Sequence, residues 1–205
     1  MNGVRLLRCS IGLVVGVSLV AAGCQDGPAE STEEAYLRLL TACEKDDAAR
    51  LFDALDTATQ WSVESVQRDQ REMRRLITES YPPGDRERAL SRIPTACEEP
   101  VEHPRRYFRR LDGVGERLAE IKRRMFAGFG QPIGTVHGKA GDADVWRAGG
   151  SIFHFARDGK GRWGWSELSA EWEQAKLRAA HDLETVRENA ALYRGQAAPS
   201  RGRSD

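Results

Sequence analysis

The sequence predicts an α+β fold, with N-terminal helices packed on a four-stranded antiparallel sheet and a long C-terminal helix after it. Three observations carry this. Residues 31–132 place apolar side chains at helical spacing between capping residues and prolines. Residues 133–168 become dense in Gly, β-branched and aromatic residues, with turn signals at regular intervals. Residues 169–194 return to helical spacing, where Trp172, Ala175, Ala179, Leu183, Val186 and Ala190 make a narrow apolar stripe.

Residues 1–23 precede the fold and have the parts of an export signal. Arg5 and Arg8 stand before an apolar run at 11–20, and Ala21, Ala22 and Gly23 are small. A span of the bilayer needs about 20 apolar residues, more than this run offers. Cleavage as an ordinary secretory signal, after Ala22 or Gly23, is the other reading. The motif Leu19-Val20-Ala21-Ala22-Gly23-Cys24 resembles the lipobox of bacterial lipoproteins. That resemblance implies cleavage before Cys24 and a diacylated thiol carrying chains such as palmitate. Residues 24–30 are then a short polar tether. Two acyl chains make anchoring stable where one does not. Gln25, and not Asp, follows the cysteine, which in enterobacterial sorting favours the outer membrane over the inner one. The expected location is the bacterial cell envelope, lipid-anchored and facing periplasm or exterior.

Ser31-Thr32-Glu33-Glu34 reads as a capping box that opens a first helix, with Tyr36, Leu37, Leu40 and Cys43 on one face. Asp46-Asp47 caps a short second helix through Leu51, Phe52 and Leu55. Thr57 with Gln60 is expected to cap a longer third helix to about residue 80, stopped by Tyr81-Pro82-Pro83-Gly84. A short helix over 85–93 ends at Pro94, and Pro104 opens another over 105–111. After Asp112-Gly113, the spacing of Val114, Leu118, Ile121 and Met125 resumes helix. Strands are expected at 133–137, 144–148, 151–157 and 162–168. The last hairpin has two registers. A two-residue loop puts Trp163 and Trp165 with His154 and Ala156; a three-residue loop bulged at Gly161 puts them with Phe153 and Phe155. The second collects the aromatics on one face and is the expected one. Residues 169–194 form the C-terminal helix, and 195–205 are polar and expected to be disordered.

Ala35-Tyr36-Leu37-Arg38-Leu39, Asp46-Asp47-Ala48-Ala49 and Gly161-Arg162-Trp163 together resemble the NTF2-like (SnoaL-like) domains of bacterial lipoproteins, over residues 31–168. The resemblance implies a curved sheet wrapped on helices around a cone-shaped pocket. Within such a cone, Tyr36, Phe153, His154, Phe155, Trp163 and Trp165 are the candidate lining. The family includes isomerases, dehydratases and many proteins without catalysis, so the fold alone assigns no reaction.

Composition narrows the partners. The whole chain has formal net charge +0, and removing Arg5 and Arg8 with the leader leaves a small negative charge, so no nucleic acid or other polyelectrolyte is implied. No CxxC motif or Cys/His cluster argues for a metal, and no motif calls for a cofactor. Of the four cysteines, Cys9 leaves with the leader and Cys24 is lipidated, which leaves Cys43 and Cys97. A disulfide between these two is expected in an oxidising compartment, with two buried thiols as the alternative. Gly113-Val114-Gly115 lacks the third glycine and preceding strand of a dinucleotide site. Tyr36, His137, His154, Asp142 and Asp144 are the polar candidates for chemistry, and no family catalytic motif matches them. Arg105, Arg106, Arg109 and Arg110, continued by Arg117, Lys122, Arg123 and Arg124, are a candidate contact for an anionic envelope surface.

The expected function is a membrane-anchored, non-catalytic binding or interaction module, whose partner is a small apolar ligand or an envelope protein. One alternative is an isomerase- or dehydratase-like enzyme that uses the cone pocket. Another is a structural envelope protein that assembles through its C-terminal helix. The sequence does not set the oligomeric state.

Overall fold

The structure of the chain is a computed structural model that describes residues 29–94, 96, 103–127, 134–137, 142–146 and 151–197, with 134–137 and 142–146 described by backbone alone. The leader with Cys24, Cys97 and the tail beyond Ala197 lie outside the described residues.

Local chemistry sets the helix starts. Helix α1 (Thr32–Glu44) begins where Ser31 Oγ accepts from the Glu34 N–H at 3.1 Å, while the Glu34 carboxylate accepts from the Glu30 N–H at 2.8 Å. This satisfies end donors that helical bonding leaves over. Asp46 takes a left-handed turn (φ 49°), a conformation that Asp tolerates. Asp47 then caps α2 (Ala48–Ala54) through the Ala49 and Arg50 N–H groups. Helix α3 (Thr57–Ser80) is capped by Asp56, one residue before the expected Thr57. The Asp56 carboxylate accepts from the Thr59 N–H at 3.0 Å, the Thr59 hydroxyl at 2.6 Å and the Ser169 hydroxyl at 2.7 Å. Gln60 turns back to the carbonyls of Phe52 (3.1 Å) and Leu55 (3.0 Å), closing the end of α2. Proline stands at or next to the start of α4 (Pro83–Leu90) and α5 (Pro104–Arg110), and α6 (Val114–Phe126) follows a left-handed Gly113.

Four short strands come next: β1 (Gly134–His137), β2 (Asp142–Trp146), β3 (Ile152–Arg157) and β4 (Trp163–Trp165), each antiparallel to the one before. In the last hairpin Phe155 pairs with Trp165 and Arg157 with Trp163, and Gly161 is left-handed at φ 83°. This is the register that gathers Phe153, Phe155 and Trp165 on one face. Helix α7 (Ser169–Ala197) closes the described chain, running past the expected end at 194.

The long helices make the spine of the molecule. Helices α3 and α7 lie side by side and run parallel. Near their starts Ser62 donates to Glu173 at 3.2 Å, and at their far ends the rings of Tyr81 and Tyr193 are 4.9 Å apart. Val63, Val66, Met73 and Ile77 on α3 meet the buried Ala179, Leu183 and Ala190 on α7 in the three-four rhythm of a coiled-coil seam.

The expected architecture is corrected on this point. The molecule is mostly helical, with seven α-helices among the described residues, and it is not a set of helices laid on a curved four-stranded NTF2-like cone. Only the two-stranded β3–β4 ribbon has described side chains in the core, and β4 is three residues long. The physical reason lies after the strands. The apolar stripe of α7 matches the seam of α3, so α3 buries itself on a helix and not on a sheet.

Strand β4 is seated on the α2–α3 junction. Leu55 bridges Trp165, and the Asp56 N–H donates to the Trp165 carbonyl at 3.0 Å. A Cβ at Gly164 would stand 2.5 Å from the Asp56 backbone nitrogen and 2.6 Å from the Leu55 carbonyl oxygen, so only glycine fits. Along the same edge of β4, two residues earlier, the ribbon receives Ala29, whose carbonyl accepts from the Trp163 N–H at 2.9 Å. The last residues of the expected tether are thus docked on the fold, and Ala29 is buried.

Candidate functional site

An opening of about 620 Å³ lies between α6 and the start of α7. Gly113 turns the chain from α5 into α6 and leaves a gap that no side chain of α7 fills. Phe108 and Trp172, with ring centroids 5.9 Å apart, form an aromatic wall beside Leu51 and Leu168. The rim is charged. Arg117 is held by Glu120 at 3.2 Å and Glu171 at 3.1 Å, while Arg123 and Arg178 pair with no described residue. Asp112 and Glu116 line it too, so the groove is as charged as it is apolar, whereas ligand sites are usually apolar with a few convergent polar groups. A second groove of about 460 Å³ lies along the α3–α7 seam, lined by Met73, Ile77, Tyr81 and Val186 among others.

The expected cone lining does not surround a cavity. Tyr36, Phe153, Phe155 and Trp165 are all buried and close on one another, with the Tyr36 ring edge-on to Phe153 at 6.0 Å and to Phe155 at 6.4 Å. Trp163 is half-buried under the Arg157 guanidinium, 6.0 Å from its ring. His154 is exposed on the opposite face of β3 from Phe153 and Phe155. Its backbone N–H donates to Glu167 at 3.3 Å, and the register sets it across from Asp144. Tyr36 and His154 are therefore on different sides of the strand, and the buried acid–base pair that a cone enzyme needs is not assembled by them. The side chains of His137, Asp142 and Asp144 lie outside the described residues.

The basic run is divided between two helices and largely paired. Arg105 is salt-bridged to Asp53 at 2.5 Å, and burial still holds the Asp53 carboxyl above its ordinary range against that neighbour. Arg106 and Arg109 are exposed, and Arg110 is engaged by neighbouring groups. On α6, Lys122 pairs with Asp46 at 2.8 Å. Arg124 turns inward to Glu167 at 2.6 Å and lies over the Phe153 ring at 4.6 Å. Its bonds to Glu167 hold it charged, above the usual guanidinium range.

Cys43 is a free thiol, fully buried near the end of α1. Its expected partner, Cys97, lies outside the described residues, and burial pushes the Cys43 thiol pKa up to about 11. A neutral thiol in an apolar setting packs as a small hydrophobe and is a poor nucleophile.

Sequence reasoning missed the groove. It placed Trp172 on the apolar stripe of the last helix and Val114 on that of α6, and both readings hold locally. The gap arises because the two stripes diverge from a common neighbour, Phe108, and periodicity carries no signal for that. Among the described residues no group of His, Cys, Asp and Glu is arranged to hold a metal, and no helix is long and apolar enough to cross a membrane. No protein-family model matches the chain, and neither a curated protein nor a solved structure matches it.

Proposed function

We propose that the protein is a lipid-anchored envelope lipoprotein whose helical body is a binding module for an apolar or amphipathic ligand. The anchor is Cys24, within the lipobox-like run of residues 19–24, and the location is the cell envelope, with the outer membrane favoured by Gln25. The observation that supports binding is the α6–α7 groove, where the half-buried Trp172 offers aromatic surface against the buried Phe108, beside Arg123 and Arg178, which pair with no described residue. An aromatic wall supplies most of the affinity for an apolar group, and the charged rim orients a polar end.

Titration with the fluorescent probe 8-anilinonaphthalene-1-sulfonate, an apolar ring system with one negative charge, tests this groove. The folded chain is expected to bind it saturably, and Trp172→Ala is expected to weaken binding at least tenfold with the helical signal unchanged. Equal binding by both proteins would place the ligand elsewhere.

A further inference from the structure

The tether, an exposed tryptophan and the tip of the β3–β4 hairpin lie at one end of the molecule. We infer that this end, with Trp61 at its centre and Arg157 and Lys160 beside it, rests on the anionic lipid headgroups of the membrane that holds the anchor. The inference depends on the lipid-anchor reading above and adds which face meets the bilayer.

Trp61 is 68% exposed, the most exposed of the large apolar side chains, although it sits on a helix whose other face is core. It follows Thr57 by one helical turn, so the two share a face, and helical side chains lean back toward the N-terminus. Trp61 therefore lies toward Thr57. The Thr57 hydroxyl donates to Asp158 at 2.9 Å, and Asp158 is in the hairpin turn. Asp158 also accepts from the Arg162 N–H and the Lys160 N–H, both at 2.9 Å, and from the Arg162 side chain at 2.6 Å. These bonds, the Arg162 N–H first, hold its carboxyl well below the usual range, and the Thr57 bond ties the turn to α3. Lys160 and Arg157 at this tip are exposed, and no described residue pairs with the Lys160 ammonium.

The tether arrives at the same place. Ala29 pairs with Trp163, the residue over which Arg157 lies. Five peptide links separate Cys24 from Ala29, a reach of at most about 17 Å. A lipid on Cys24 therefore holds this end of the body near the headgroups and cannot present the far end of α7 there instead. Glu30 beside Ala29 and the exposed Glu64, one turn after Trp61, are opposing charges that Arg157 and Lys160 must outweigh. Tryptophan is the residue that settles best at the water–lipid boundary, and cations near it gain from anionic lipid. An exposed indole held this close to a bilayer has that boundary as its partner.

The full chain is produced in a bacterium, extracted, and reconstituted into phosphatidylglycerol-rich vesicles whose acyl chains carry bromine near the glycerol end. Bromine quenches only tryptophans at that depth, and residues 1–28 contain none of the five. Wild type and Trp61→Phe are compared, with flotation of the vesicles measured on the same samples. Trp61→Phe leaves the fold unperturbed because the side chain is exposed, and circular dichroism checks it. The expected result is quenching in the wild type that is lost in Trp61→Phe, and that weakens when Arg157 and Lys160 are both changed to Gln. Flotation with equal quenching in both proteins, or with none, overturns this face while leaving the anchor standing. Failure to float overturns the anchor, and the face with it.

Discussion

At the scale of single residues, Gly164 shows how little freedom the β4 seat has. Its missing side chain lets Trp165 bond the Asp56 backbone and lets Asp56 cap α3 at the same time. Overpacking against side chains costs about 1–3 kcal/mol, and here the neighbours are backbone atoms that cannot rotate away. Gly164→Ala is therefore expected to cost at least about 3 kcal/mol, read as a large fall in the urea midpoint or loss of soluble protein. An unchanged midpoint would mean that β4 does not sit on the α2–α3 junction. Asp56 is the other residue on which several elements converge, since Thr59 and Ser169 both donate to it. The cap of α3 and the first turn of α7 thus share one buried carboxylate.

Among elements, α7 is what distinguishes this fold from the expected cone. Its buried side chains are small or branched, Ala179, Leu183 and Ala190, so it can approach α3 closely. Truncating Leu183 to Ala should cost about 2–5 kcal/mol, as large-to-small changes in cores do. Leu177 on the same helix is 61% exposed, and Leu177→Ala should change stability by no more than about 0.5 kcal/mol. Urea denaturation of the two variants checks this, and similar losses would mean that α7 does not pack on α3 by this face. The same comparison marks what could be read in the sequence. Caps at Ser31 and Asp47 and the proline start of α5 follow from local chemistry, and each is visible within a few residues, whereas Pro82 and Pro83 read as a stop although Pro83 opens α4, and the hairpin offers two registers until it is packed. The stripe on α7 was equally visible, but a stripe does not name its partner. Tyr36, Phe153 and Phe155 looked like a pocket lining because aromatic residues serve cores and pockets alike, and only the three-dimensional packing tells the two uses apart. The α6–α7 groove was not visible at all, because it is a gap between elements and not a property of either.

For the whole molecule, the candidate groove and the proposed membrane-facing surface lie on different elements near one end. The hairpin tip, Trp61 and Ala29 lie where an anchor on Cys24 would hold the body, whereas the groove opens between α6 and the start of α7 beside Phe108. The starts of α3 and α7 are joined by the Asp56–Ser169 and Ser62–Glu173 bonds, so Trp61 and the groove are at the same end of the helical spine. The formal charge of the chain is balanced, so the proposed contact with the membrane would rely on the local placement of Trp61, Arg157 and Lys160 and not on a field from the whole protein. The most direct measurement is mass spectrometry of the N-terminal peptide from protein extracted from bacterial membranes, beside a Cys24→Ser control. The expected peptide begins at Cys24, carries a diacylglyceryl group on its thiol, and is missing from the control, which stays unprocessed. A wild-type peptide that begins elsewhere, or begins at Cys24 without lipid, would contradict the anchored reading.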